Sequence, residues 1–262
     1  MPGERPFLPY GRHFIEDDDI EAVTDVLRGE FLTTGPVVDA FENTLAEVTG
    51  ARHVVSCSSG TAALHLTASA LDLGPGDWAI VPAMTFLATA NAARYVGADV
   101  IFADVDAETG LMTSETFEAA RATAVGSVKA VYPVHINGQT ANMAAIRQVA
   151  GDMPIVEDAC HALGGVHKAA NGEWVPVGSC AYSEMSIFSF HPVKTVAMGE
   201  GGAVTTNDDH LAERLRRHRN IGMNRNPETI ENAGQAFDTS GEINPWYYEM
   251  PELGLNYRAS AV

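Results

Sequence analysis

Ser186-Ile187-Phe188-Ser189-Phe190-His191-Pro192-Val193-Lys194 decides how this chain is read. Ile187, Phe188 and Phe190 make residues 186–190 an apolar run suited to a buried strand. The stretch then turns polar around Pro192, so Ser189, His191 and Lys194 fall at the end of the strand and in the loop that leaves it. Gly199-Glu200-Gly201-Gly202 follows closely and opens a second strand, Gly202–Thr206. A lysine among apolar neighbours in such a loop can act as a nucleophilic amine toward a carbonyl. The competing interpretation is a surface lysine whose stem lies along apolar side chains, the fate of most lysines.

Two upstream segments end strands in the same way. Residues 154–157 form a short apolar strand that runs into Asp158-Ala159-Cys160-His161. A carboxylate there can pair with a cation in a crevice or cap the next helix, and neither is favoured. Residues 52–57 are a β-branched strand followed by Ser58-Ser59-Gly60-Thr61-Ala62-Ala63-Leu64, a turn into a helix over residues 61–71. Gly60 lets the backbone approach a ligand, and the free N–H groups of a helix start suit a phosphate. Ser59 and Thr61 can add hydroxyl donors, although Ser and Thr are also ordinary N-caps. Each signal is weak by itself. A phosphate cradle, an acid for a pyridinium nitrogen and a lysine for an aldehyde are together the parts that one pyridoxal phosphate requires.

The rest of the chain alternates helical and strand patterns. Asp17–Arg28 places Ile20, Val23, Val26 and Leu27 on one helical face, and Phe41, Leu45 and Val48 do the same in the next segment. Further helices are expected over Leu87–Tyr95, residues 115–122, Met143–Ala150 and residues 208–219. Strands are expected over residues 78–82, 100–105 and 128–134. Strands separated by helices predict an α/β fold, a mainly parallel sheet sandwiched by helices. Ligands of such sheets bind at the carboxyl ends of the strands, where the three motifs fall. From Asn220 the pattern becomes turn-rich, with Asn224-Arg225-Asn226-Pro227 and Glu242-Ile243-Asn244-Pro245.

Bulk composition narrows the classes. Across 262 residues, 46% are hydrophobic and 19% charged, which excludes disordered and collagenous chains. A formal net charge of −18 argues against nucleic acid as a partner. Arg214, Arg216, Arg217 and Arg219 form the densest basic cluster and read as a solvated face or a local anion contact. Cys57, Cys160 and Cys180 match no zinc spacing and read as free thiols in a reducing cytosol. His135, His161 and His191 fit no tight metal motif, so no metal is expected. Met1-Pro2-Gly3-Glu4-Arg5-Pro6 lacks the apolar core of a signal peptide, and no apolar run has the length of a membrane span, which predicts a cytoplasmic protein with no membrane partner.

The motifs resemble those of the DegT/DnrJ/EryC/StrS sugar aminotransferases, pyridoxal-phosphate enzymes of fold type I. The matching segments are residues 58–66, Pro82-Ala83-Met84-Thr85-Phe86, Glu157-Asp158-Ala159-Cys160-His161-Ala162, residues 188–194, Gly199-Glu200-Gly201-Gly202 and Gly254-Leu255-Asn256-Tyr257-Arg258, spread over nearly the whole chain. The resemblance implies that Lys194 carries the cofactor covalently and that Asp158 pairs with its pyridine nitrogen. It implies His161 near the ring and its phenolic oxygen, Phe86 against the ring face, and Gly60, Thr61 and Ser189 on the phosphate. Asn256 would reach the phosphate of a neighbouring subunit, since the family builds its sites across a homodimer. Ser59 departs from relatives that often carry another residue before the glycine.

Leu8-Pro9-Tyr10-Gly11, Phe31-Leu32-Thr33-Thr34-Gly35-Pro36, Pro133-Val134-His135 and Pro245-Trp246-Tyr247-Tyr248-Glu249 look like the branch of the family acting in pseudaminic acid synthesis. That branch transfers an amino group from glutamate to C4 of a UDP-linked 4-keto-6-deoxy-N-acetylhexosamine. Tyr10, Glu30, Phe31, Leu32 and Thr33 would then line the nucleotide-sugar pocket. Trp246, Tyr247 and Tyr248 would stack on the substrate or pack in a gating loop. Alternatives are transamination of another nucleotide-linked keto sugar, or an inactive cofactor-binding fragment. A sugar dehydratase on the same fold is disfavoured because those relatives carry histidine at the Lys194 position. The resemblance divides the chain into an N-terminal arm and helix (1–35), a large cofactor-binding α/β domain (36–219), and a partner-subunit loop leading into a truncated C-terminal region (220–262). A smaller C-terminal domain is expected beyond Val262.

Overall fold

The computed structural model describes residues 7, 9–169 and 171–262. The Met1-to-Pro6 start, read above as lacking a signal peptide, and Leu8 of the Leu8-Pro9-Tyr10-Gly11 motif lie outside the described residues. The chain begins with α1 (Asp17–Arg28) and α2 (Pro36–Thr49). It continues through β1 (His53–Cys57), α3 (Gly60–Ala70), β2 (Asp77–Pro82), α4 (Leu87–Tyr95) and β3 (Asp99–Ala103). Next come α5 (Ser114–Arg121), β4 (Ser127–Val131), α6 (Met143–Ala150), β5 (Val156–Asp158) and the hairpin β6 (Val166–Lys168) and β7 (Trp174–Pro176). The last elements are β8 (Met185–Ser189), β9 (Gly202–Thr206), α7 (Asp209–Arg219) and the short α8 (Ala233–Ala236).

Two ladders, β3-β2-β4 and β5-β8-β9-β1, join through parallel bridges Val131 to Ile155 and Val134 to Asp158. All neighbouring pairs from β3 to β8 are parallel, while β9 runs antiparallel to both β8 and β1. The mainly parallel sheet expected from the helix–strand alternation is therefore present, with one reversed strand. The reversal has a consequence for the site. Because β9 runs backwards, its first residue, Gly202, lies at the same sheet edge as the last residues of β1 and β8, pairing with Cys57 and Ser189.

The alternation of side chains along each strand builds two layers. Ala79, Val81, Ala130, Val156, Ile187 and Val204 face one side, where α3 and α4 pack. Ile80, Ile101, Val131 and Ile155 face the other, with Phe117 of α5 and Ile146 of α6. Leu45 of α2 continues that second layer over Val54, Phe188 and Ala203. α3 is buried on nearly all sides, from Gly60 through Ala70, so its start is held rigidly at the sheet edge. No described helix is long and apolar enough to cross a membrane.

Several sequence expectations need correction. Val48 points to solvent rather than the core, because Phe41 and Leu45 continue their face at i+4 to Thr49, which is buried and donates to Leu45 O at 2.8 Å. The apolar face of α1 is real as a pattern, but none of its residues is buried. The strands expected over residues 100–105 and 128–134 are shorter, ending at Ala103 and Val131. The β6–β7 hairpin was not anticipated from the sequence, although Asn171-Gly172 marks its turn. Three of the four clustered arginines are not a free basic face. Arg214 pairs with Asp72 and Glu252, Arg217 with Glu213 and Glu252, and Arg219 with Glu42, tying α7 to the rest of the domain.

Candidate active site at the carboxyl edge of the sheet

The site begins with the turn between β1 and α3. Ser59 has extended φ/ψ and caps α3, its hydroxyl accepting from Ala62 N at 3.0 Å, so the N-cap interpretation of this serine holds. Ala63 N donates to Ser59 O at 2.9 Å, which leaves the N–H groups of Gly60 and Thr61 ahead of the helix's own acceptors. Ser58 N donates to the carbonyl of Tyr257 at 2.9 Å, bringing the Asn256–Tyr257 segment beside the turn.

Close packing explains the glycine. A Cβ on Gly60 would stand 2.7 Å from Ser189 Cβ and 3.2 Å from both Ser189 Oγ and Cys160 Sγ. Gly60, Ser189 and Cys160 thus meet where β1, β8 and β5 end. The N–H of His191 approaches Ser189 Oγ at 3.4 Å and Lys194 N donates to His191 O at 2.8 Å, which folds the β8–β9 loop over the edge. Lys194 is half-buried rather than enclosed. Its positive charge acts to lower both the Cys160 thiol and the His161 imidazole, and its backbone is held in the loop that leaves the Ser189 end of β8. Gly11 packs on Val193, where an added Cβ would lie 3.2 Å from Val193 Cβ, which sets Tyr10 next to the Lys194 loop.

Asp158 is 4% exposed, on the face of β5 that looks toward α4. It caps no helix, because turns follow it. Its Oδ2 accepts the hydroxyl of Thr89 at 2.7 Å and its Oδ1 is 3.3 Å from Cys160 N. Burial and then the Asp158 charge push the Cys160 thiol well above its ordinary value, which makes it a poor nucleophile beside Lys194. Burial, aided by the Lys194 charge, lowers His161 below the usual imidazole range. His161 Nδ1 accepts Asn137 N at 3.1 Å, so in the neutral ring Nε2 carries the proton.

Glu157 lies on the opposite face of β5, fully buried with His135. His135 Nδ1 accepts Ala141 N at 3.2 Å, so Nε2–H donates to Glu157 at 2.8 Å, and Ser183 donates to the other carboxylate oxygen. Burial raises the Glu157 carboxyl, but these partners outweigh it and hold it below the usual range. His167 packs edge-on against His135 and Tyr182, and neither of its ring nitrogens has a hydrogen-bond partner among the described residues. Burial lowers it. Both groups bind fewer protons folded than unfolded below their unfolded values, so stability falls on acidification, from about pH 6.5 for His167 and about pH 4.3 for Glu157. Urea melts of His167→Phe between pH 7.5 and 5 should show a shallower loss, by up to roughly 1.4 kcal/mol per pH unit, one proton's weight. An unchanged slope removes His167 from the acid response.

The remaining sequence candidates lie around this centre. Phe86 is the N-cap residue of α4 and is 71% exposed. Thr61 is half-buried in the first turn of α3, and Asn256 is exposed on a bridge to Asn220. Tyr10, Glu30, Phe31, Leu32 and Thr33 are exposed, with Leu32 and Thr33 pinned by Ala261 and Ser260. Tyr247 is buried and bonds Glu249 at 2.8 Å, while Trp246 and Tyr248 face solvent. A recess of about 410 Å³ lies behind the Lys194 loop, lined by residues such as Val23, Val38, Phe41, Met198 and Ala261; it includes none of Asp158, Ser189 or Lys194. Thr89 escaped sequence reasoning, and Cys160 was read there only as a motif residue and a free thiol. A pair of hydroxyls at i and i+4, Thr85 and Thr89, was the signal available for the first.

A model of the DegT/DnrJ/EryC1/StrS aminotransferase family matches residues 13–261. The chain is 38% identical over 250 residues to the UDP-4-amino-4-deoxy-L-arabinose–oxoglutarate aminotransferase of Shewanella sediminis, covering 94% of this chain and 61% of that protein. Its fold matches Helicobacter pylori PseC, an aminotransferase involved in the biosynthesis of pseudoaminic acid, with TM-score 0.80 and 25% identity over 97% of this chain and 62% of that one. The PLP form of the putative sugar aminotransferase Spr1654 from Streptococcus pneumoniae matches with TM-score 0.80 and 26% identity, over 97% of this chain and 63% of that one. The chain thus spans about three fifths of the length of the relatives it matches.

Proposed function

The chain belongs to the DegT/DnrJ/EryC1/StrS aminotransferase family, and from that membership we propose that it moves an amino group from glutamate to the C4 carbonyl of a UDP-linked 4-keto sugar. The family's cofactor is pyridoxal 5'-phosphate. The residues present fit it: a glycine cradle that a methyl group would fill, two helix-start N–H groups and a buried carboxylate share one edge with a lysine. When bound, the cofactor supplies an aldehyde for the amine and a ring that draws electrons from the bond being broken. The convergence of Gly60, Asp158, Ser189 and Lys194 at one sheet edge is the observation that carries the proposal.

The chain's own groups divide the work. Gly60 and Thr61 N–H and the Ser189 hydroxyl hold the phosphate. Asp158, a carboxyl group in a buried setting, would pair with the ring nitrogen and favour its protonated form. Lys194 Nζ would anchor the cofactor's aldehyde carbon and, as a free amine, would take and return the substrate proton. His161 offers Nε2–H to the ring's phenolic oxygen, and exposed Phe86 covers a ring face. Asn256, exposed beside the Ser58 turn, serves the phosphate of a second copy in a homodimer. Tyr10 and residues 30–33 form a wall of the nucleotide-sugar pocket. Free thiols at Cys57, Cys160 and Cys180 suit the reducing cytoplasm, where we place the enzyme.

For the sugar, the motifs around Tyr10, Phe31 and Trp246 favour a 4-keto-6-deoxy-N-acetylhexosamine. A 4-keto pentose is the second possibility, on the strength of the 38% identical relative. A protein carrying these 262 residues, loaded with pyridoxal phosphate, should lose its lysine-bound absorbance on adding glutamate. It should regain it with one UDP-4-keto sugar and not with dTDP-linked analogues. No spectral response to glutamate would end the aminotransferase reading, and recovery with the pentose alone would end the hexosamine branch.

A further inference from the structure

The Asp158 carboxylate is held by a directed pair of hydroxyls from α4 and the loop before it. Thr89 Oγ1 stands 2.7 Å from Asp158 Oδ2, and Thr85 Oγ1 stands 2.8 Å from Thr89 Oγ1. Thr89 is fully buried and Asp158 nearly so. An ionised carboxylate has no proton to give, so Thr89 must donate to it. The single Thr89 proton is then spent, and the short contact with Thr85 requires Thr85 to donate to Thr89. The chain has one direction, Thr85 to Thr89 to Asp158, and each bond polarises the next. The other carboxylate oxygen has a much weaker hold, the 3.3 Å approach of Cys160 N.

Thr85 directly precedes Phe86, which ends the loop between β2 and α4. The same two hydroxyls therefore link the loop bearing Phe86 to the carboxylate at the end of β5, although the residues are about seventy positions apart in sequence. Their removal would leave the β5 backbone in place, because Asp158 N donates to Pro133 O at 2.8 Å and His135 N donates to Asp158 O at 3.0 Å. Only the side chain's orientation depends on the hydroxyls.

Building on the cofactor reading above, we propose that Thr89, oriented by Thr85, is a positioning residue that aims the Asp158 carboxylate at the ring nitrogen and sets it in register with the Phe86 loop. Thr89 touches neither substrate nor cofactor; it acts through Asp158. Valine is its near isostere without the donor, and serine keeps the donor without the methyl. Thr89→Val should weaken equilibrium binding of pyridoxal phosphate, read by absorbance titration of the apo-protein, by about tenfold, the lower end of what a hydrogen bond to a charged group supports. The single-turnover rate with saturating glutamate should fall by a similar factor while the half-saturating glutamate concentration stays within about twofold, because the donor's own contacts are untouched. Thr89→Ser should bind within about threefold of wild type, and Thr85→Val should show a smaller loss than Thr89→Val.

Thermal melts of each apo-protein separate misfolding from mispositioning. Should Thr89→Val fail to fold, the half-buried Thr85→Val carries the comparison. Wild-type affinity in both valine variants, or a serine variant as impaired as valine, overturns the positioning role while leaving the aminotransferase reading intact. A wild-type chain that binds no pyridoxal phosphate removes both.

Discussion

Lys194→Ala should leave a folded protein that still takes up pyridoxal phosphate but lacks the absorbance of the lysine-bound form, with turnover reduced by several orders of magnitude. The fold should survive because the half-buried Lys194 side chain is outside the hydrophobic core clusters. Its backbone N–H bond to His191 O is available to alanine as well. The proposed phosphate cradle at Gly60 and Ser189 and the Asp158 carboxylate are built from other elements and remain. Lys194→Arg separates two explanations. Arginine keeps the positive charge near His161 and Cys160 but is no nucleophile, so it should be as inactive as alanine. Substantial turnover in either variant would remove Lys194 from its assigned role. Cys160 offers no substitute, since burial and Asp158 hold it as the thiol.

The parts of this site legible in the sequence share a physical property: each sits where an apolar strand changes abruptly into a polar loop. Residues 186–194 made that change visible, as did Asp158 after residues 154–157 and Ser58 after residues 52–57, and the structure places all three at one edge of the sheet. The layered fold was legible for the same reason, since buried strands between amphipathic helices have few other solutions. Direction was not. A β-branched run such as Gly202–Thr206 reads identically in either sense, and only the pairing reveals that β9 is reversed. Partners were also hidden. Ile20, Val23, Val26 and Leu27 define a face on α1, but periodicity cannot say what covers it, and among the described residues none of the four becomes fully buried. Thr89 could be noticed only as half of a hydroxyl pair with Thr85, because a threonine inside a helix carries no sign of the carboxylate sixty-nine residues on that it serves. Hydroxyl-to-carboxylate bonds depend on tertiary placement rather than on local pattern.

The reversed strand explains why a second glycine is as constrained as Gly60. An added Cβ on Gly202 would stand 2.3 Å from Ser59 O and 2.7 Å from Gly60 N. Both are backbone atoms at the start of α3, a helix buried along nearly its whole length, so neither can swing aside. Relief requires moving β9 away from its pairs with Cys57 and Ser189, or moving the cradle itself. Gly202→Ala should therefore cost at least the roughly 1–3 kcal/mol typical of overpacking a tight interior. Because the strain falls on the Ser59–Gly60 turn, cofactor affinity should drop more steeply than the melting temperature alone would suggest. Gly199→Ala provides the control in the same loop. Gly199 has φ of 77° with nothing within 4 Å of an added Cβ, so alanine there carries only left-handed backbone strain, about 1–2 kcal/mol. Parallel thermal melts and pyridoxal phosphate titrations distinguish the two. Gly202→Ala should lose binding out of proportion to stability, and Gly199→Ala should show a loss of stability without that excess. Equal behaviour of the two variants would mean that the turn tolerates displacement and that the cradle is not held by β9.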